Sequence, residues 1–418
     1  MSSQNFTRWA VIASGEGGGR IASQFFTRRS NPGIDERIVV MNTNRTDIGN
    51  TIQRLEEAFG DSEFGEQVII FGEDQGAGNV FTNGERFARD DTDHILREIA
   101  ANIGEGSHHG APDAFMHVTT LGGGTGNGSI PYIVRELQEG IDPDTYEGWM
   151  NDVTHFVTGT WPYEDDPIQQ QFNAVCGLSR LLLKPDGTPN ADMVLLGANS
   201  HIEQIGNGDD SSKSRNDLVN ERLIEAFDLL ISGGRETRGV IDVQDLVNLP
   251  PQIGAYHFTP AIATGLNANV HKLKGMFDVA ARNTFVPMDV STTKAAYAIV
   301  RAPRSLVGDE ITETEVGKTF DEWKRDNGIN GPGMSTVSIK DDGRNEVDVL
   351  LLLGGFSLKK LLDRSLEDYR EHRENLERGR RLGNEAISED KLGKIEENLD
   401  RYLEITENLD RYLESTEE

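Results

Sequence analysis

The chain has 418 residues, 36% hydrophobic and 27% charged, with 17 Phe and 4 Trp, which excludes wholesale disorder and leaves room for two domains and a helical extension. Seventy Asp and Glu against 41 Lys and Arg give a formal net charge of -29, which opposes docking on nucleic acid or an anionic membrane through a charge patch. The acid is spread through the chain, as in Asp90–Asp91–Thr92–Asp93, in the manner of proteins adapted to high salt, and the lone Cys176 excludes an intramolecular disulfide and a thiolate metal cluster.

Short apolar runs at Trp9–Ser14, Ile38–Met41, Val68–Phe71, Phe115–Thr119, Thr154–Thr158 and Met193–Leu196 predict buried strands separated by helical patterns. Strand, glycine turn and helix in repetition predict an α/β doubly wound parallel sheet, with ligands at the carboxyl ends of the strands. From Asn216 to Ser232 apolar residues fall at helical spacing, a long connecting helix that stops at Gly233–Gly234. Ala255–Thr259, Ala295–Val300 and Val347–Leu353 then read as strands, and Asn267–Ala281 as a helix, of a second, smaller α/β domain. The expected boundaries are 8–215 for the nucleotide domain, 216–238 for the connecting helix, 239–356 for the second domain and 357–418 for an acidic helical tail. In that tail ENLDRYLE at 397–404 recurs at 407–414, so Leu399, Leu403, Leu409 and Leu413 form a slowly drifting stripe. Two readings stand for it: a solvated tail, or a helix that binds a protein partner. No stretch approaches the ~20 apolar residues of a membrane span, so no membrane insertion and a cytoplasmic location are expected.

Two glycine runs each follow a strand and open a helix: Gly15–Glu16–Gly17–Gly18–Gly19–Arg20 and Leu121–Gly122–Gly123–Gly124–Thr125–Gly126–Asn127–Gly128. Glycines there let the backbone approach a polyphosphate, to which helix N-terminal amides and Thr125 donate. The first run alone fits a nicotinamide dinucleotide fold, but Asn42–Thr43–Asn44 stands where that fold needs an acid, and the second run gives one sheet two phosphate loops. GGGTGNG matches the signature of the tubulin/FtsZ superfamily, and the chain resembles its archaeal tubulin-like group, CetZ, with Glu16 and Arg20 at the polar positions of the first loop.

That resemblance implies GTP or GDP as ligand, with magnesium, and potassium as a further candidate cation. It implies contacts from Gly15 to Arg20, Asn42, Gly76, Ala77, Gly78, Asn79 and Gly122 to Asn127, with Asp166 at the ribose and Asn199 and Asn220 at the base end. It also implies that Asp242 and Asp245, in the loop after the connecting helix, orient water at the γ-phosphate of a neighbouring subunit. Hydrolysis then depends on assembly, and the chain is expected to be a GTPase that polymerises head to tail, in cell shape or division. A plain alternative for Asp245 is a helix cap. For the whole chain the alternatives are a nucleotide-binding regulatory protein that does not hydrolyse and acts through its tail, and an NAD-dependent oxidoreductase. The stretch Lys184–Asn190 reads as an insertion.

Overall fold

The computed structural model describes residues 7–27, 34, 37–59, 67–74, 76–104, 110–140, 150, 152–205, 213–233, 242–308, 311–340, 345–383 and 386–407. In chain order the strands are β1 (Trp9–Ser14), β2 (Ile38–Asn42), β3 (Val68–Ile70), β4 (Ala114–Thr120), β5 (Thr154–Trp161), β6 (Met193–Ala198), β7 (His257–Asn267), β8 (Ala295–Pro303), β9 (Gly333–Lys340) and β10 (Glu346–Gly354). The helices of the first half are α1 (Gly15–Thr27), α2 (Arg45–Phe59), α3 (Phe81–Asp90), α4 (Thr92–Ile103), α5 (Thr125–Arg135) and α6 (Ile168–Leu182). Next come α7 (Asn199–Ile202), α8 (Arg215–Ser232), α9 (Val243–Val247), α10 (Leu249–Ile253), α11 (Leu273–Arg282) and α12 (Glu313–Asp326). The last are α13 (Lys359–Leu362), α14 (Leu366–Arg381) and α15 (Glu389–Glu407).

Two units emerge: Arg8–Val194 with Lys359–Glu418, and Leu195–Leu358 with the first seven residues. In the first unit the strand order is β3-β2-β1-β4-β5, all parallel. Every residue of β1, β2 and β5 is buried, so both faces of this sheet are covered, as the unbroken apolar runs require. The chain winds outward from β1 through β2 to β3, then restarts at β4 on the other side of β1. Strands β1 and β4 therefore flank the topological switch point, where an open sheet leaves a crevice at its carboxyl edge.

The C-terminal helices belong to this unit, and the reading of a solvated tail does not hold for their described residues. Leu392, Ile395, Leu399, Tyr402 and Leu403 are buried at spacings of three and four, one continuous stripe of α15. Helix α14 closes on α6, where Phe172 stacks on Tyr369 with ring centroids 5.1 Å apart. Ser179 Oγ donates to Ile395 O at 2.7 Å, and the Trp161 indole N–H donates to Ser365 Oγ at 2.8 Å. Arg373 holds Glu396 through Nε at 2.7 Å and Nη2 at 3.2 Å. Leu409 and Leu413 lie outside the described residues. Cys176 is buried in α6, where burial pushes its thiol far above the ordinary value and leaves it inert.

His117 of β4 and His155 of β5 stack 5.2 Å apart, with His117 Nε2 3.0 Å from His155 Nδ1. Burial pushes His155 down to about 3, with Lys184 adding to the effect, and burial and His155 push His117 well below its ordinary value. Both are neutral in the folded protein at neutral pH. Below the unfolded value near 6.5 the unfolded chain takes up protons that the folded one refuses, so stability is full above that pH and declines beneath it. The expected loss at pH ~5 is roughly 2 kcal/mol from His155, with His117 adding in the same direction. Denaturant midpoints at neutral and mildly acid pH measure it, and His155→Gln is expected to flatten the dependence.

In the second unit β7 and β8 lie antiparallel on either side of β10, and β9 is parallel to β8. Its core gathers Phe277, Phe320 and Trp323 from α11 and α12 against these strands. Arg301 of β8 pairs with Asp228 of α8 at 2.5 Å and with Asp348 of β10 at 3.2 Å, fastening the connecting helix to its own sheet. Among the described residues no helix is long and apolar enough to cross a membrane.

Candidate functional site: a nucleotide crevice at the switch point

Adjacent pairing of β1 and β4, Ala13 opposite Val118, delivers both glycine runs to the same edge. Gly15 turns the chain into α1 with φ +77°, a conformation open to glycine and strained for most other residues. The turns then touch backbone to backbone. A Cβ on Gly126 would sit 2.4 Å from Ser14 O and 2.4 Å from Thr119 Oγ1, and one on Gly84 of α3 would sit 2.3 Å from Gly124 O. These glycines are required by packing. Gly123 and Gly78 differ: a Cβ on Gly123 meets Thr120 Oγ1 at 3.8 Å, and one on Gly78 meets nothing within 4 Å. Their backbones face open space, as the wall of a ligand crevice must.

Polar side chains fasten the loops to one another. Thr43 Oγ1 lies 2.7 Å from Thr125 Oγ1, joining the end of β2 to the start of α5, and Asn42 Oδ1 accepts the Thr43 N–H at 2.8 Å. The Gly76 N–H donates to Thr43 O at 2.9 Å, which brings the third loop alongside. Asn79, at φ +58°, is held through its carbonyl by Gln169 Nε2 at 2.9 Å and Asn173 Nδ2 at 2.8 Å. Asn173 Nδ2 also donates to Gly122 O at 2.9 Å. Sequence reasoning did not single out Thr43, Gln169 or Asn173. The signal was there: Gln169 and Asn173 are polar residues four apart on α6, and Asn173 is buried.

Three residues expected at the nucleotide make contacts within the protein as well. Asn127 is fully buried, and its Nδ2 donates to Leu121 O at 2.6 Å and Asn173 O at 2.7 Å, so its side chain locks the loop and only its backbone is left for a ligand. Asp166 Oδ2 accepts the Tyr163 N–H at 2.8 Å, closing the turn after β5. Glu16 is ion-paired with Arg20 one helical turn on, so the carboxylate beside the phosphate turn carries its own counter-charge. Next to them Asp47 of α2 is held above the ordinary carboxyl value by burial and by Glu16, with Arg20 opposing. No three His, Cys, Asp or Glu side chains among the described residues are grouped to hold a metal ion unaided.

Residues 8–207 match the Tubulin/FtsZ family, GTPase domain. They form a tubulin/FtsZ-family domain. The tubulin-like protein CetZ1 of Haloferax volcanii is 24% identical over 250 residues, 57% of this chain and 55% of that protein. The matched region thus spans about half the length of that curated relative. The GDP-bound CetZ1 monomer of Haloferax volcanii superposes with a TM-score of 0.68 at 19% identity, over 88% of this chain and all of the other. The GTPγS-bound CetZ2 protofilament, from the same organism, gives 0.67 at 20% identity with the same coverage. At these identities the structural likeness concerns the fold, and it extends beyond the tubulin/FtsZ domain into the second unit.

Four expected residues lie in that second unit. Asn199 begins α7 at the carboxyl end of β6. Asn220 is 6% exposed on α8, and no side-chain hydrogen bond to it is found among the described residues. Its amide keeps both donor and acceptor capacity. Asp242 is the N-cap of α9: its Oδ1 accepts the Asp245 N–H at 2.9 Å, and Asp245 Oδ2 accepts the Asp242 N–H at 3.1 Å. This reciprocal box contributes about 1 kcal/mol. The cap residue is thus Asp242, with Asp245 answering it from the third helical position. The Tyr297 hydroxyl donates to Leu246 O and fixes the same turn to β8. Gly239 to Ile241, the rest of the expected catalytic loop, lie outside the described residues.

Proposed function

We propose that the chain binds GTP at the β1/β4 switch point and hydrolyses it when subunits assemble head to tail, as a cytoskeletal filament protein acting in cell shape or division. One observation carries the reading: two glycine turns meet at one sheet edge, with the Gly78 and Gly123 backbones turned to open space. Backbone amides at the start of α1 and α5 suit a polyphosphate, since helix N-termini attract negative charge. The relatives were solved as a GDP-bound monomer and a GTPγS-bound protofilament, which supports both the guanine ligand and self-association.

In this reading Asn220 reads the base, Asn199 and Asp166 approach the nucleoside, and Asp242 and Asp245 complete the site of the next subunit. Each acid uses one oxygen in the capping box, so its second oxygen is left to orient water for in-line attack. A magnesium ion would neutralise phosphoryl charge, and Glu16 and Asp47, neighbouring carboxylates of which Glu16 raises the charge cost of Asp47, would hold its water shell. A heterologous contact of this kind generates open filaments. The same capping box favours a second reading, binding without hydrolysis, in which the two acids serve only the helix.

Purified protein in potassium chloride with GTP and magnesium, followed by light scattering and phosphate release, separates the two. Turnover per subunit that climbs with protein concentration, together with scattering, is expected. Tight GTP binding with neither would establish the second reading.

A further inference from the structure

Behind the phosphate loops the first unit contains a cavity of about 100 Å³ that the nucleotide reading does not use. Arg135, Arg180, Lys184, Lys391 and Lys394 line it, against the single carboxylate of Glu85. In a chain of net charge -29, five cations around one small space reverse the local sign. The loop beginning at Lys184 builds one wall: Lys184 N–H donates to Thr188 O at 2.8 Å, and the loop returns at Asn190.

The one acid is overcommitted. Glu85 pairs with Arg89, Arg180 and Lys391, each within 2.7 to 2.8 Å, and these cations hold it below its ordinary value against the opposing effect of burial. Burial pulls Lys391 below the ordinary lysine range; Glu85 opposes this, and Arg180 and Arg89 add to it. The remaining cations have weak partners. Lys394 pairs with Asp390, whose side chain is 80% exposed, and Lys184 with Glu139, 55% exposed. Arg135 reaches Glu136 at 3.4 Å. The exposed Lys394–Asp390 pair contributes little and yields readily to a stronger anion, and the acids facing Lys184 and Arg135 are partly open to solvent.

One acceptor in the wall has no donor. Asn190 is 2% exposed, and its Nδ2 donates to Pro131 O at 3.0 Å and Arg180 O at 2.9 Å, which fixes the amide. Its Oδ1 is buried without a hydrogen-bond partner. A water needs roughly 10–15 Å³ of such volume, so the cavity takes a group with several oxygens.

We propose that this cavity binds a small phosphate dianion carrying an O–H, either hydrogen phosphate through its P–O–H or a polyol phosphate monoester through a hydroxyl of its alcohol part, held by Arg135, Lys184, Lys391 and Lys394 with that O–H donated to Asn190 Oδ1. The site is independent of the GTP reading, because none of these residues belongs to the nucleotide crevice. Calorimetric titrations of inorganic phosphate and of glycerol phosphate into the full chain, in potassium chloride with GDP saturating, test it and separate the two sources. One site for at least one probe is expected, at least about tenfold weaker in Lys394→Gln and in Lys391→Met, since each removes a charge-assisted bond. Lys394 is 60% exposed, so that variant folds even where Lys391→Met does not. Sulfate, which carries no proton at neutral pH, is expected to bind at least about tenfold more weakly. Absence of binding by both probes, or affinity unchanged in Lys394→Gln, or sulfate equal to phosphate, overturns the proposal.

Discussion

Gly123→Val is expected to weaken guanine-nucleotide binding at least about a hundredfold with no change in thermal midpoint, whereas Gly126→Ala is expected to lower both. The contrast follows from what each new atom meets. At Gly123 a Cβ finds only Thr120 Oγ1, at 3.8 Å, so the fold accepts it, but the branched side chain occupies the space through which phosphate oxygens reach the loop amides. Two charge-assisted hydrogen bonds lost, at about 1.5–3 kcal/mol each, give a factor of that size or larger. At Gly126 the methyl lands 2.4 Å from both Ser14 O and Thr119 Oγ1, and relieving that overlap moves the two turns apart. Overpacking of this kind costs about 1–3 kcal/mol. Titration of a fluorescent GTP analogue, beside thermal denaturation of each variant, resolves the two effects. Wild-type affinity in Gly123→Val would place the ligand elsewhere.

Asp242→Asn and Asp245→Asn are expected to lower GTP turnover by ~10²–10⁴ while leaving the protein as stable as before. Asparagine is as good an N-cap as aspartate, and its Oδ1 can accept the same backbone N–H, so the box around α9 survives. Alanine at either position would confound the test, because it removes about 1 kcal/mol of capping together with the carboxylate. The reading that places the acids in the neighbouring subunit makes a sharper prediction. Gly123→Val has an impaired nucleotide loop and intact acids; Asp245→Asn has the reverse. Mixed in equal amounts, the two inactive proteins are expected to recover measurable turnover, since a copolymer apposes the intact loop of one to the intact acids of the other. Phosphate release from the mixture no greater than the sum of the separate proteins would argue against a shared site. Undiminished turnover by Asp245→Asn alone would assign the pair to helix capping only.

Much of the first unit was legible because its strands are buried on both faces and so read as unbroken apolar runs, punctuated by glycine turns whose backbone the fold requires. The second unit was harder. Strand β9, GMSTVSIK, buries only Thr336, Val337 and Ser338 and reads as a loop. Strand β7 runs on through Pro260 to Asn267, so the helix expected from Asn267 begins only at Leu273, after the N-cap Lys272. Helix α12 hides Val316, Phe320 and Trp323 among charges, a narrow stripe easily taken for a polar surface. The same holds for α15, whose apolar stripe is too narrow to announce burial until α6 supplies its partner.

At the candidate site the backbone loops were legible and the side-chain roles were not. A glycine turn after a strand states its purpose in sequence, since few other residues can stand there. The direction of a polar side chain depends on neighbours that only the fold brings near. Asn127, expected at the nucleotide, clamps Leu121 to Asn173 with its side chain, and Glu16, expected there too, pairs with Arg20. Thr43, which ties the second strand to the phosphate helix, lies in a segment read only for its lack of an acid.

The central claim is that the crevice between β1 and β4 is a guanine-nucleotide site. It is tested most directly by denaturing the purified protein and separating by chromatography whatever small molecule it releases. GDP or GTP near one per chain is the predicted result, and an adenine or nicotinamide nucleotide in that proportion would contradict it.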